Sequence, residues 1–262
     1  MHTRKEQLKA FERLLDIMDE LREKCPWDRK QTLASLRQLT IEETYELADA
    51  ILDNNLIEIK KELGDLLLHI VFYSKIGAEQ KAFDIADVAH SISEKLIDRH
   101  PHIYGDVEVQ NEEEVKENWE KLKLKEGNKS VLSGVPKSLP AVVKASRIQD
   151  KVAAVGFDWE KKDQVFEKVR EELEELHDEV LQNNQAQIEA EFGDVLFSLI
   201  NYARFLNVNP ENALEKTNKK FIKRFKYIEA AVAKDKKDMQ TMNLTELDEY
   251  WEKAKKYDKK NE

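Results

Sequence analysis

Apolar residues recur along this chain at steps of three and four, the period of a helix with one face turned inward. Leu63, Leu66, Leu67, Ile70 and Ser74 mark one such stripe, expected to be buried, and Phe192, Val195, Leu196, Leu199 and Ala203 repeat it downstream. Strand-type alternation over several residues is not evident anywhere. The pattern predicts helices over residues 6–23, 36–53, 56–79, 84–98 and 111–125, then over 141–153, 163–183, 186–206, 210–233 and 244–257. Asp84 and Asn209-Pro210 are suitable starts for the fourth helix of each series, because a short polar side chain caps and proline fits the first turn. The expected fold class is all-α.

The two series are copies of each other. Trp27 and Trp119 in the first half have Trp159 and Trp251 at comparable places in the second. Ile41-Glu42-Glu43-Thr44-Tyr45-Glu46-Leu47 matches Arg170-Glu171-Glu172-Leu173-Glu174-Glu175-Leu176, and Ile59–Asp65 matches Ile188–Asp194. Glu46 to Glu62 and Glu175 to Glu191 are both 16 residues. Later, Lys95 and Arg99 correspond to Lys220 and Arg224, and Trp119 and Lys123 to Trp251 and Lys255. Between the copies, Gly127, Gly134, Pro136 and Pro140 fall within fourteen residues and read as a linker. The expected modules are residues 1–126 and 141–262, joined by 127–140.

Composition narrows the function. Of 262 residues, 37% are charged and 41% hydrophobic, with only 7 Gly and 5 Pro, which suits a few long helices. The formal net charge of -10, without a basic tract, argues against a nucleic-acid partner, since backbone binding needs clustered Lys and Arg. No apolar run reaches membrane-spanning length, so no membrane partner is expected either. Met1-His2-Thr3-Arg4-Lys5-Glu6 has no signal core, and the single Cys25 fits a reducing compartment; a cytoplasmic location is expected.

The carboxylates carry the chemistry. Residues three apart share a helix face, so Glu43 and Glu46 form one pair and Glu62 and Asp65 another. If the two helices pack antiparallel, as their short connection favours, four carboxylates converge. The second copy offers Glu172, Glu175, Glu191 and Asp194. Four anions brought together repel unless a cation sits among them. Hard oxygen ligands select Mg²⁺ or Mn²⁺, and Mg²⁺ commonly binds substrate phosphates as well. Gly64 and Gly193 precede the aspartates inside the helices. Glycine there costs about 1 kcal/mol relative to alanine, which suggests close approach by another backbone or a ligand.

Lys95 with Arg99, and Lys220 with Arg224, are four apart on a helix face and could meet phosphate oxygens. The second copy has Asn218, Lys219 and Lys223 where the first has Ser93, Glu94 and Asp98, and is the better trap for a triphosphate. Trp119 and Trp251 are either stacking platforms for a base or structural residues. Trp27-Asp28 and Phe157-Asp158 are expected to close a loop before the acidic helix, and His100-Pro101-His102 reads as a turn. No P-loop pattern is present.

These residues resemble the MazG family of all-α nucleoside triphosphate pyrophosphohydrolases in its two-domain form. The likeness rests on E-E-x-x-E at Glu42–Glu46 and Glu171–Glu175, on E-x-G-D at Glu62–Asp65 and Glu191–Asp194, and on the Cys25-Pro26-Trp27-Asp28 and Gly156-Phe157-Asp158-Trp159 segments. It covers nearly the whole chain. The resemblance implies cleavage between the α and β phosphates of a nucleoside triphosphate, giving a monophosphate and pyrophosphate. It implies Mg²⁺ and a homodimer in which each module completes a four-helix-type bundle with a partner's helices. The family's metal ligands fall on Glu172, Glu175, Glu191 and Asp194, and in the first module on Glu43, Glu46, Glu62 and Asp65. Its nucleotide-binding positions fall on Lys168, Val169, Arg170, Glu171 and Glu172, on Gln187, Ile188, Glu189, Ala190 and Asp194, on Lys220, Phe221, Ile222, Lys223 and Arg224, and on Trp251 and Lys255. Glu171, Glu172, Lys220 and Arg224 are the implied catalytic residues, in a second module expected to carry the activity.

Two other readings compete. A di-iron carboxylate bundle wants two Glu-x-x-His motifs, and this chain has one, Glu174 to His177, whose counterpart in the first copy ends in Ala48. A non-enzymatic helical scaffold would explain charge and length, but not the in-helix glycines beside convergent acids.

Overall fold

In the first half helix starts are set by side-chain caps. Thr3 accepts from the Glu6 amide while the Glu6 carboxylate accepts from that of Thr3, a reciprocal pair that opens α1 (Arg4–Lys24). Thr32 and Ser35 open α2 (Leu33–Leu52) in the same way. Asn55 caps α3 (Leu56–Glu79), and Asp84 with Asp87 caps α4 (Ile85–Arg99). In the second half α6 (Ala141–Ala153), α7 (Lys162–Gln182) and α8 (Gln185–Phe205) precede α9 (Pro210–Lys234), which starts with Pro210 behind the cap Asn209. Helix α10 (Leu244–Asn261) closes the chain.

This computed structural model describes residues 1–111, 114, 115, 118 and 130–261. Its helices coincide with the expected ones except for small shifts at the ends, and no strand occurs among the described residues. The helix expected over 111–125 lies almost wholly outside the described residues, as do Trp119 and Lys123. The expected turn at His100-Pro101-His102 is instead the start of a one-turn helix, α5 (Pro101–Tyr104). Pro101 at its first position sacrifices no hydrogen bond there.

The chain divides into two compact units, Met1–Glu112 and Glu113–Glu262. In the first, α2 and α3 form a tight hairpin, with α1 and α4 against α3. Met18, Leu36, Val71, Phe72 and Ile76 make its core. In the second, α7 and α8 form the equivalent hairpin, α6 packs on α8, and α9 pairs with α10 around Ile228, Val232, Tyr250 and Ala254. Each acidic hairpin turns through an asparagine with left-handed backbone, Asn54 (φ 51°) and Asn183 (φ 60°). Asparagine tolerates that conformation better than other non-glycine residues.

The expected stripe on α3 is only partly buried within the chain, at Ser74 and, by half, at Leu66. Leu63, Leu67 and Ile70 are exposed, while Glu62, His69, Val71, Phe72, Ser74 and Ile76 face inward. On α8, Val195 is buried but Phe192, Leu196 and Leu199 are exposed. Both helices are apolar on more than one side; the chain's own helices cover one side and leave the other open. No helix among the described residues is long and apolar enough to cross a membrane.

Candidate active site

Because α2 and α3 pair along their lengths, residues sixteen apart meet across the hairpin. Carboxylate oxygens of Glu43, Glu46 and Glu62 lie within 4.8 Å of one another, and so do those of Glu172, Glu175 and Glu191 on α7 and α8. The fourth acid expected in each set is outside this triad. Asp65 is half-buried and near enough to act electrostatically on Glu43, whereas Asp194 is exposed. No histidine belongs to either triad among the described residues, and His177 is exposed, which disfavours the di-iron reading.

The triads are electrostatically strained. Burial pushes the Glu43 carboxyl above its ordinary value, and the charges of Asp65, Glu46 and Glu62 push it further. Glu175 is raised by desolvation and then by the charge of Glu172. Glu62 is almost fully buried; Lys61 reaches one of its oxygens at 2.9 Å, but the other, Oε2, is buried without a partner. A buried carboxylate oxygen without a donor costs stability, and a cation would offset that cost. All-carboxylate donors, one orphaned and two held close by their backbones, fit a hard divalent metal ion. The residues present can therefore hold one.

The modules place a lysine differently beside the triad. Lys168 bridges Glu171 at 2.7 Å and buried Glu172 at 2.8 Å, and these two hydrogen bonds hold its ammonium far above the usual lysine range. The matching residue in the first module is Leu39. The second triad thus carries its lysine on Glu172, whereas the first carries Lys61 on Glu62, where the second module has Ala190.

A Cβ added at Gly64 or Gly193 would meet nothing within 4 Å. The close approach expected at these glycines is therefore not made among the described residues; both positions open onto the exposed faces of α3 and α8.

Of the basic positions, Arg224 donates from Nε to Asp258 at 2.7 Å, and Lys223 reaches the same carboxylate at 2.9 Å. These two hydrogen bonds hold Asp258 below the usual carboxylate range. Arg224 also lies over the Trp251 ring, 5.6 Å from its centroid, and Phe221 packs on that ring at 5.2 Å. Trp251 is thus part of an aromatic–guanidinium stack linking α9 to α10. Lys220, Phe221 and Ile222 are exposed, and Lys255 pairs with Glu252. Val169 is buried in the core, and exposed Arg170 contacts Glu167. Gln187, Glu189 and Ala190 are exposed on the first turns of α8, beside half-buried Ile188. In the first module Lys95 is exposed and Arg99 half-buried at the end of α4.

Both expected loop closures form. Asp28 is buried and its carbonyl accepts from Arg22, which also holds Glu79. Asp158 is gripped by both terminal nitrogens of Arg204 on α8. Sequence reasoning missed Asp258 and Arg204. Each acts on a residue more than thirty positions away, and local spacing carries no such signal.

A family model described as the MazG nucleotide pyrophosphohydrolase domain matches residues 31–104 and 160–228, the segments that hold both triads. The nucleoside triphosphate pyrophosphohydrolase/pyrophosphatase MazG of Thermotoga maritima is 45% identical over 250 residues, covering 94% of this chain and 95% of its own. The nucleoside triphosphate pyrophosphohydrolase of Escherichia coli K12 is 41% identical over 258 residues, covering 95% of this chain and 98% of its own. A crystal structure of a mazG-related protein from Thermotoga maritima aligns with 43% of this chain and 98% of that one, at 26% identity and a TM-score of 0.39. On its two matched segments and its near-full-length similarity to these relatives, the chain belongs to the MazG nucleotide pyrophosphohydrolase family.

Proposed function

We propose that this protein hydrolyses nucleoside triphosphates to a nucleoside monophosphate and pyrophosphate, with Mg²⁺ held by Glu172, Glu175 and Glu191 and assisted by Asp194. The observation that carries the reading is the carboxylate triad, built twice on equivalent hairpins in a chain of this family. A bound divalent ion supplies charge neutralisation at the phosphates and a more acidic water. Lys168, spanning Glu171 and Glu172, stands ready to move onto an incoming phosphate. Glu171, released from that contact, accepts the proton of the attacking water. Lys220 and Arg224 stabilise the phosphate oxygens, with Arg224 exchanging Asp258 for substrate.

The second module is the working site in this reading, because Lys219 and Lys223 stand where the first module has Glu94 and Asp98. The exposed stripes Leu63–Leu67–Ile70 and Phe192–Leu196–Leu199 support a homodimer in which a second copy covers them, as apolar faces of this kind are paired in helical bundles. The glycines at 64 and 193 then admit the partner's backbone or the nucleotide. Sedimentation should show a dimer at assay concentration; an active monomer would remove this part of the reading. The test of the activity is product analysis with Mg²⁺ and a panel of standard and modified triphosphates in ¹⁸O-labelled water. Monophosphate and pyrophosphate are expected, and a nucleoside diphosphate with orthophosphate would overturn the assignment.

A further inference from the structure

Asp258 sits near the end of α10, where an aspartate ordinarily faces solvent, yet it is only 5% exposed. Two adjacent cations of α9 account for this. Lys223 Nζ lies 2.9 Å from its Oδ1, and Arg224 Nε donates to its Oδ2 at 2.7 Å. Both cations fall among the nucleotide-binding positions expected from the family likeness. One carboxylate therefore engages two groups on which substrate phosphate is expected to depend.

The carboxylate is held where it is by its helix. Ala254, one turn earlier on α10, packs with Ile228 and Val232, and Tyr257 stacks on Tyr227 at 5.1 Å. Asp258 also shares a face of α10 with Trp251 and Lys255, at steps of four and three residues. The Arg224 guanidinium lies 5.6 Å from the Trp251 ring centroid, so ring and carboxylate grip it together.

Two carboxylate oxygens, each taking one cation, reproduce what two oxygens of a phosphate offer. A phosphate drawn to Lys223 and Arg224 thus meets a resident competitor. If it takes both cations, Asp258 is left charged and buried without a partner, which is costly, and the cost is relieved when the phosphate leaves. Such competition weighs most on pyrophosphate, which has no base or sugar to hold it. The first module lacks this paired grip, because Asp98 stands beside Arg99 where Lys223 stands beside Arg224. Glu126, which matches Asp258 in the register of Trp119 and Trp251, lies outside the described residues.

We infer that Asp258 is an internal phosphate mimic of the second module. It occupies the Lys223–Arg224 pair in the free protein, yields it to incoming phosphates and reclaims it as pyrophosphate departs. Asp258 is thereby a positioning residue, acting through the two cations, that sets the rate of product release. The inference rests on the proposed hydrolase reading for the identity of the product, but not for the competition.

The test uses inorganic pyrophosphate and the full chain. Calorimetry measures pyrophosphate binding with and without Mg²⁺, and steady-state kinetics measures its inhibition of triphosphate hydrolysis, in the wild type, Asp258→Asn and Asp258→Glu. Asp258→Asn should bind pyrophosphate about tenfold more tightly, the scale of one charged hydrogen bond. KM should fall with it, and kcat should fall rather than rise, since slower release then limits turnover. Asp258→Glu keeps the charge and should restore wild-type behaviour. A structural clamp alone predicts the opposite sign, because a loosened Arg224 binds pyrophosphate more weakly. Weaker or unchanged pyrophosphate binding in an Asp258→Asn chain of wild-type circular dichroism would overturn the inference, whether or not triphosphate is hydrolysed. If that variant does not fold, hydrogen exchange of the wild type decides. With pyrophosphate bound, the amides of residues 257–261 should exchange faster as Asp258 is released, and slower or unchanged exchange there would overturn the inference. Tighter pyrophosphate binding in Asp258→Asn without any triphosphate hydrolysis would leave the competition standing and reject the hydrolase reading.

Discussion

Each triad makes the metal-free protein pay for its own binding site, and this gives stability measurements an unusual sign. Glu43 is raised above its ordinary value of 4.5 by burial and by three neighbouring carboxylates. A group whose pKa is higher folded than unfolded favours the fold most below its unfolded pKa. That contribution is lost as pH rises through the folded value, so this group destabilises the metal-free chain at neutral pH. Glu43→Gln in chelator should therefore raise the Tm at about pH 7 and do little at about pH 4.5. Divalent metal should act the other way. At a hundred times its Kd, a ligand that binds only the folded state stabilises by about 2.7 kcal/mol. For a unit the size of Glu113–Glu262 this is roughly 5–10 °C in Tm. Scanning calorimetry with and without Mg²⁺ should show that shift at about pH 7 and a much smaller one at about pH 4.5, where protons compete for the same oxygens. A lower Tm for Glu43→Gln in chelator, or an Mg²⁺ shift that survives when Glu46, Glu62, Glu175 and Glu191 are all replaced by alanine, would refute the reasoning. Asp258 titrates in a separate window. Its lowered pKa gives stability above the unfolded value of 3.8, which is lost only as pH falls through the folded value.

Three further outcomes are expected. Glu175→Ala with Glu191→Ala should abolish turnover, while Glu46→Ala with Glu62→Ala should leave most of it; the reverse in a triphosphate assay would move the working site to the first module. Lys168→Met should raise KM by roughly tenfold or more through loss of a charged donor. By calorimetry the same variant should bind Mg²⁺ alone more tightly, because Lys168 no longer competes for Glu172; weaker metal binding would contradict the competition. Asp158→Asn should lower stability by about 1 kcal/mol, since the Arg204 pair is partly exposed and screened. A loss no larger than that of a surface substitution would mean that the loop is held by its aromatic contacts instead.

Much of this architecture can be read from local pattern because its determinants are local. The hairpins follow from helices of similar length joined through Asn54 and Asn183, and a sixteen-residue separation across such a turn brings Glu46 to Glu62 and Glu175 to Glu191. The side of α3 that the chain buries is a different kind of fact. Leu63, Leu67 and Ile70 have the periodicity of a core stripe, as do Val71, Phe72 and Ile76, and only the positions of α1 and α2 decide between them. The cations show the same limit. Arg224 has the right spacing from Lys220 for a phosphate clamp, yet Asp258, thirty-four residues away, holds it in the absence of substrate. In the proposed reaction its work would include an exchange of carboxylate for phosphate. Duplication partly lifts this limit, because two copies of one fold separate what the fold needs from what a site needs. Phe72 against Asn201, and Leu39 against Lys168, are changes that a helix tolerates equally well. Lys168 lies beside the second triad, and Asn201 lines a cleft between α6, the Gly156–Trp159 loop and α8. The two copies thus keep the same three clustered acids while differing in the residues around them.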